Sequence, residues 1–439
     1  MIPCLVLRRG ELPSAVRRTL ASALLAVDLV LASLPWAAAQ ASPAEAAPGA
    51  DLASVRDFLL ANHPELHALQ FEAEAADARI GPAGAMPNPM LGVRLDGIDA
   101  QRPNPLPGKV DFTTYSVRQT FPLWGKRELA RGIAGREADA IRDERSAVLL
   151  ERLAQAESSY VRYWHADAAL KVVDRQIDLL GSIETVARER YALGLAVQQD
   201  AIRAQVLRTR MQSERIERIA TREEAMARLN AGLGRPVDAV LTPPVGTPVI
   251  AVPVDARDSG LAILRRRSHP MLRAGSTRAA AADDALALQR RQYLPDLTVS
   301  AGLIQQGNRL DGYELMLEVE IPLQRSVLRE REREASLRRD AAHARAEQSL
   351  NTLEAQFGET WARWTSARAR QRLYRDTLLP QTEANFASAL ASYRVGEVDF
   401  GTLLEAAEAW QGAELSRLDA LRDELTNAAD LRALIGSTP

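Results

Sequence analysis

At 439 residues the chain is long enough for two or three domains, and a formal charge of −2 leaves it no global field with which to gather nucleic acid. Its one cysteine, Cys4, excludes a disulfide scaffold and any thiolate metal cluster. Hydrophobic residues make up 46% but aromatics only 5%, which suits a helical globular or coiled-coil protein and argues against membrane-spanning helices.

Arg8, Arg9, Arg17 and Arg18 precede an apolar run over residues 20–34, broken only by Ser22, Asp28 and Ser33. Ala37, Ala38 and Ala39 before Gln40 supply an A-x-A cleavage pattern, so residues 1–39 are expected to be a signal peptide, with a buried N-terminal helix as the alternative. No cysteine follows the run, so no lipoprotein anchor is indicated. Residues 40–50 are expected to be a flexible segment, and no later apolar run of about 18 residues predicts a spanning helix.

The rest of the chain repeats itself. Asn62-His-Pro-Glu-Leu66 returns as Ser268-His-Pro-Met-Leu272, Pro89 as Pro295, Phe121-Pro-Leu123 as Ile321-Pro-Leu323, Trp164 as Trp364, and Tyr191-Ala-Leu-Gly194 as Tyr393-Arg-Val-Gly396. Each recurs about 200 residues on, in the same order, which chance does not produce. The first repeat is assigned to residues 51–235, a Pro-rich linker to 236–257, the second repeat to 258–433 and a tail to 434–439. Each copy reads as helix, strand, strand, very long helix, turn and second long helix. The opening helices are expected to be capped by Asn62 and Ser268, with proline in the first turn.

Between Pro122 and Pro236 there is no proline, so residues 126–190 can form one helix of roughly 100 Å. A helix of that length must pack along neighbours throughout. Val173, Ile177, Leu180, Ala187 and Tyr191 are spaced as such a seam. Phe357, Trp361 and Trp364 read as another, and the Arg/Glu-rich stretch 329–339 as a solvated face.

The strands, expected at about 91–98, 113–121, 297–304 and 313–321, alternate. Tyr313, Leu315, Leu317, Val319 and Ile321 point one way, and Glu314, Met316, Glu318 and Glu320 the other. At about nine residues each they are long enough to cross a bilayer when tilted, in the pattern of a transmembrane barrel wall. The alternative is a pair of hairpins packed on a soluble core. Four strands cannot close a barrel, so several copies would have to share one.

Duplicated helix–strand–strand–helix–helix halves with Tyr-x-x-Gly turns resemble the outer-membrane efflux protein family typified by TolC, over about residues 51–433. The resemblance implies a mainly α fold with transmembrane β. A homotrimer would form a 12-stranded β-barrel in the outer membrane and a long α-helical barrel in the periplasm. It implies an exit duct joined to a periplasmic adaptor and an inner-membrane pump of the resistance-nodulation-division type, with no cofactor, no catalysis and no nucleic acid. Gly194 and Gly396, with Tyr191, would then sit in the turns at the periplasmic tip. Tyr393 and Asp200 match residues that hold the family's tip closed, while the family's arginine falls at Val398. Glu405 matches an acidic position ringing the aperture, and Thr402 occupies a second such position.

The segment Gln119-Thr-Phe-Pro-Leu-Trp-Gly-Lys-Arg127 is most similar to members serving heavy-metal pumps, which favours metal cations over drugs or small organic molecules as cargo. Trp124 suits a membrane interface, and Lys126 and Arg127 are candidates to touch lipid headgroups or the barrel rim. A soluble periplasmic coiled-coil scaffold is the rival reading. An enzyme is more remote: His63 and His67 lie four apart on a helix but lack a third metal ligand, His165 and His343 are isolated, and neither a phosphate loop nor a nucleophile elbow is present.

Overall fold

Prolines stand in the first turns of three helices, and the proline-free stretch between Pro122 and Pro236 holds two long ones. The computed structural model describes residues 47–98, 104–266 and 268–437, so the expected signal peptide over 1–39 lies outside the described residues. Pro64 and Pro270 occupy the first turns of α2 (Pro64–Ala83) and α6 (Pro270–Arg291). The caps are His63 and His269, one residue beyond the expected Asn62 and Ser268, because proline is favoured at the first helical position itself. The His269 ring accepts the Met271 amide at 3.2 Å. Each is preceded by a short helix that the repeat pattern did not reveal, α1 (Leu52–Asn62) and α5 (Arg257–Arg265).

Helix α3 (Lys126–Ala192) runs unbroken for 67 residues, about 100 Å at about 1.5 Å per residue. α4 (Gln198–Gly232) folds back along it. Val173, Leu180 and Ala187 lie fully buried in the seam between neighbours, but Tyr191, expected to continue that seam, is 48% exposed at the end of α3. In the second repeat the same path is divided into α7 (Arg325–Leu373), a π turn at Tyr374–Leu378 and α8 (Leu379–Val395), and α9 (Phe400–Leu434) runs back. Pro380 explains the division. It has no amide to donate and its ring crowds the preceding turn, and the Leu379 amide reaches back five residues to the Tyr374 carbonyl.

The strands are β1 (Met90–Asp96), β2 (Phe112–Phe121), β3 (Asp296–Gln306) and β4 (Arg309–Glu320). β3 and β4 are longer than expected and meet at a tight turn through Gly307 and Asn308. All four form one antiparallel sheet in the order β1-β2-β3-β4. The join between repeats is β2 on β3, with Thr113 opposite Gln305 and Phe121 opposite Leu297.

Away from the sheet the repeats share a core. Phe357 and Trp361 rings lie 5.8 Å apart and Trp361 and Trp364 5.0 Å, with Leu59, Tyr160 and Leu229 in the same apolar cluster. Within it the fully buried Glu157 carboxylate of α3 receives Arg56 of α1 at 2.6 Å and Arg432 of α9, so one carboxylate ties three helices and both repeats. Two assignments need correction. Residues 48–50, expected within a flexible segment, are paired with the linker: Thr242 donates to the Pro48 carbonyl at 3.0 Å and Val245 to Ala50 at 2.9 Å. Ile435, expected in a tail, is 5% exposed and belongs to the core.

Candidate functional site

Alternation sorts the sheet into two chemically different faces. Leu91 and Val93 of β1, Tyr115 and Val117 of β2, Leu303 of β3, and Tyr313, Leu315, Leu317 and Val319 of β4 share one face and are all exposed, Leu315 to 72%. The opposite face carries Arg94, Ser116, Arg118, Ser300, Glu314, Glu318 and Glu320. Arg94 on one edge strand approaches Glu314 on the other to 3.9 Å, over the small residues Ser116 and Gly302. Arg118 and Glu318 make a second contact at 3.9 Å, and the Thr120 and Thr298 hydroxyls lie 3.0 Å apart. The outer edges of β1 and β4 pair with no other strand among the described residues. An apolar exposed face and two unpaired edges are a combination that water does not favour.

The passage from β2 into α3 is a built joint. Trp124 and Gly125 both take left-handed backbone conformations, at φ 64° and 70°, and Trp124 is the one non-glycine residue to do so among those described. That pair turns the chain out of the strand. The Trp124 indole donates to the Pro295 carbonyl at 2.7 Å, and the Leu123 amide to the Asp296 carboxylate at 3.1 Å. The Lys126 ammonium reaches the same carboxylate at 2.9 Å and the Leu294 carbonyl at 3.0 Å. Lys126 is only 6% exposed, and Arg127 donates to the Gly84 carbonyl at 2.9 Å. Both cations bond to protein groups at strand–helix junctions. The Trp124 ring remains half exposed.

At the other end of α3, about 100 Å from the sheet, the two Tyr-x-x-Gly turns lie side by side. Gly194 and Gly396 are left-handed, at φ 73° and 85°, which lets each chain reverse between helices. The Tyr393 hydroxyl faces the Asp200 carboxylate at 3.4 Å, a long hydrogen bond, and its ring meets Phe400 edge-on at 5.3 Å. Burial, then the nearby Asp200 charge, pushes the Tyr393 phenol up to about 12. Val398 packs against the apolar tip cluster formed by Leu180, Ile183, Phe386, Phe400 and Leu403. Thr402 serves the α9 cap: its amide and hydroxyl reach the Asp399 carboxylate at 2.7 and 2.9 Å and hold that acid below its usual range. Glu405 is exposed one turn further on. Tyr191 does not join Tyr393; it stands exposed on the outside of its turn.

Sequence reasoning missed Arg190. It donates to the carbonyls of Tyr393, of Arg394 at 2.7 Å and of Leu195 at 3.1 Å, and its guanidinium carbon lies 4.9 Å from the Tyr393 ring centre. A basic residue in the last turn of a helix ending in Tyr-x-x-Gly was the available signal. His67 touches the Ala61 carbonyl at 3.1 Å, His165 pairs with Asp419 at 2.9 Å and His343 with Asp283 at 3.2 Å. No group of three or more His, Cys, Asp or Glu that could hold a metal occurs among the described residues. No helix among them is long and apolar enough to cross a membrane.

Long paired helices carrying a sheet with one apolar and one polar face define the class of fold. The family described as Outer membrane efflux protein matches residues 55–235 and 264–437, one stretch per repeat, and the chain belongs to that family. Among solved structures it is similar to the outer-membrane channel OprN (TM-score 0.75, 17% identity, 88% of this chain and 90% of that one). It is similar also to CusC (0.73, 16%, 88% and 92%), described with transmembrane channel formation, and to the outer membrane protein VceC of Vibrio cholerae (0.72, 18%, 88% and 96%). At these identities the likeness is one of fold. No curated protein matches the chain significantly in sequence.

Proposed function

We propose that this protein is the outer-membrane exit duct of a tripartite efflux pump, a passive conduit that opens at its periplasmic tip on docking. The observation that carries the proposal is the four-stranded sheet, with its exposed apolar face, its charged opposite face and two unpaired edges. In a bilayer an open edge leaves several backbone groups without partners, so such a sheet is stable there only in a closed barrel. Closure needs about eight strands or more. The trimer that family membership suggests supplies twelve, with the apolar side chains against lipid and Arg94, Arg118, Glu314, Glu318 and Glu320 against the lumen. The chain reaches that membrane through the signal peptide read at residues 1–39, and the helices below the barrel form the periplasmic tunnel.

The tip supports the rest of the reading. Leu193, Leu195, Val197 and Val395 are all more than half exposed there, an apolar rim suited to a periplasmic adaptor. Asp200 and Tyr393 hold the turns, and three copies of Glu405 would ring the aperture and concentrate cations, with Thr402 beside it. Metal cations are the proposed cargo, on the strength of that ring and of the 119–127 stretch. No catalysis is proposed.

Cell fractionation and planar-bilayer recording test the reading. The duct is expected in the detergent-soluble outer membrane and conducts when reconstituted. Recovery in the soluble periplasm without detergent contradicts it and favours a coiled-coil scaffold. A deletion strain sensitised to organic toxicants but not to metal salts overturns the cargo assignment and leaves the duct standing.

A further inference from the structure

We propose that Arg190 is the positioning residue of the tip, a clasp from the first repeat that fastens the second repeat's turn and fixes Tyr393. The inference rests on the duct reading above and concerns what holds its tip shut.

A helix ends with carbonyls that lack partners and with partial negative charge. At the end of α8 the Gly396 amide returns to the Tyr393 carbonyl at 3.1 Å and the Glu397 amide to Ser392 at 2.9 Å. The Tyr393 carbonyl then accepts a second hydrogen bond, from Arg190, and the same side chain donates to the Arg394 carbonyl. The same guanidinium holds its own turn through Leu195 and lies over the Tyr393 ring. One side chain therefore touches both tip turns. Its neighbours behave differently: Arg188 and Arg208 both pair with Glu184. Arg190 has no carboxylate within ion-pair distance among the described residues, so its charge is directed at a helix end and a ring. Position 396 fits the same purpose. Besides its left-handed φ, a Cβ there would lie 3.1 Å from the Arg190 guanidinium.

Without Arg190, little polar contact keeps Tyr393 in place, since its bond to Asp200 is long at 3.4 Å. Upstream, α8 joins α7 through the π turn at Tyr374–Leu378, none of whose residues is buried. The lower part of the second coil thus has a joint at one end and the clasp at the other. Releasing the clasp frees α8 to swing at the joint.

The test compares full-length wild type with Arg190→Ala, Arg190→Lys and a control, Arg215→Ala, which removes a cation paired with Asp174 at 2.6 Å on the same coil. Two readouts are taken: amide hydrogen exchange of the detergent-solubilised protein and single-channel conductance in planar bilayers. Arg190→Ala is expected to speed exchange across residues 390–400 by about tenfold, the scale of one charge-assisted hydrogen bond, and to raise resting conductance severalfold. Arg190→Lys, which keeps the charge but not the fork, falls between, and it carries the test alone if the alanine variant does not assemble. Arg215→Ala matches wild type. Unchanged exchange, or faster exchange with unchanged conductance, overturns the proposal while a conducting wild type keeps the duct reading. A wild type that never conducts contradicts the duct reading, whatever the exchange shows.

Discussion

In the first repeat α3 crosses 67 residues without interruption, and its upper end is fastened by the Lys126–Asp296 pair. In the second repeat the same course is cut by a π turn, and the junction at Gln324, with no side-chain cap, enters α7 without the left-handed pair that turns the chain at Trp124 and Gly125. The copies descend from one plan, yet one coil is continuous and latched while the other is jointed. Single residues set the difference. Pro380 stands where the first repeat has Asp178, and Lys126 closes a latch on a carboxylate that only the second repeat's strand supplies. On the proposed reading, in which a duct opens at its tip, the stiff half would hold the wall and the jointed half would move.

The largest expected effect breaks the connection between the halves. Glu157→Ala leaves the cations of Arg56 and Arg432 without their shared partner in the core, and should cost about 3–5 kcal/mol in chemical unfolding; a loss below about 1 kcal/mol would place the connection elsewhere. Next, Asp178→Pro transfers the second repeat's interruption into the first. It should cost about 3 kcal/mol, and hydrogen exchange should show new opening near residues 174–178. If the variant is as stable as wild type, the contrast between a continuous and a jointed coil is not energetic.

A smaller effect separates the two junctions. Lys126→Ala should lower stability by roughly 1–3 kcal/mol, because Asp296 keeps its charge in a half-buried site. Arg325→Ala, at the second junction, removes only a stacking contact over Tyr293 at 5.6 Å and should cost less than about 1 kcal/mol. Equal losses would dissolve the asymmetry. The smallest effect is a pH dependence. Burial pushes His269 below its ordinary 6.5, so as pH falls below that value the unfolded chain takes up a proton before the folded one does. Stability therefore declines from about pH 6.5 downward and levels off once the folded ring is protonated too. His269→Asn, which retains a capping side chain, should flatten that limb in thermal scans, and an unchanged slope would assign it to other groups.

How much of this was legible depends on the range of the signal. Helices and strands follow from local periodicity and proline placement, and the sheet's two faces follow from alternation within single strands. The pairing of β2 with β3 leaves no local mark, because its partners sit in different repeats. Lys126 and Arg127 read as candidates for lipid headgroups or the barrel rim, and nothing in the sequence shows that Asp296 and the Gly84 carbonyl lie beside them. Arg190 was hidden for a related reason: its partners are carbonyls, which every residue possesses. Asn62 and Ser268 were plausible caps by residue type, but Pro64 and Pro270 at the first helical positions place the caps at His63 and His269 instead.

The central claim is that this sheet is one third of a shared barrel. Cys4 is the chain's one cysteine, and with Cys4→Ser engineered pairs can be read without background. Val93→Cys on β1, combined in turn with Leu315→Cys, Leu317→Cys and Val319→Cys on β4, should in one of the three registers cross-link neighbouring copies in outer-membrane preparations. The account predicts a ladder of one, two and three chains that stops at three. Chains that remain monomeric in every register, or a ladder that continues beyond three, would contradict it.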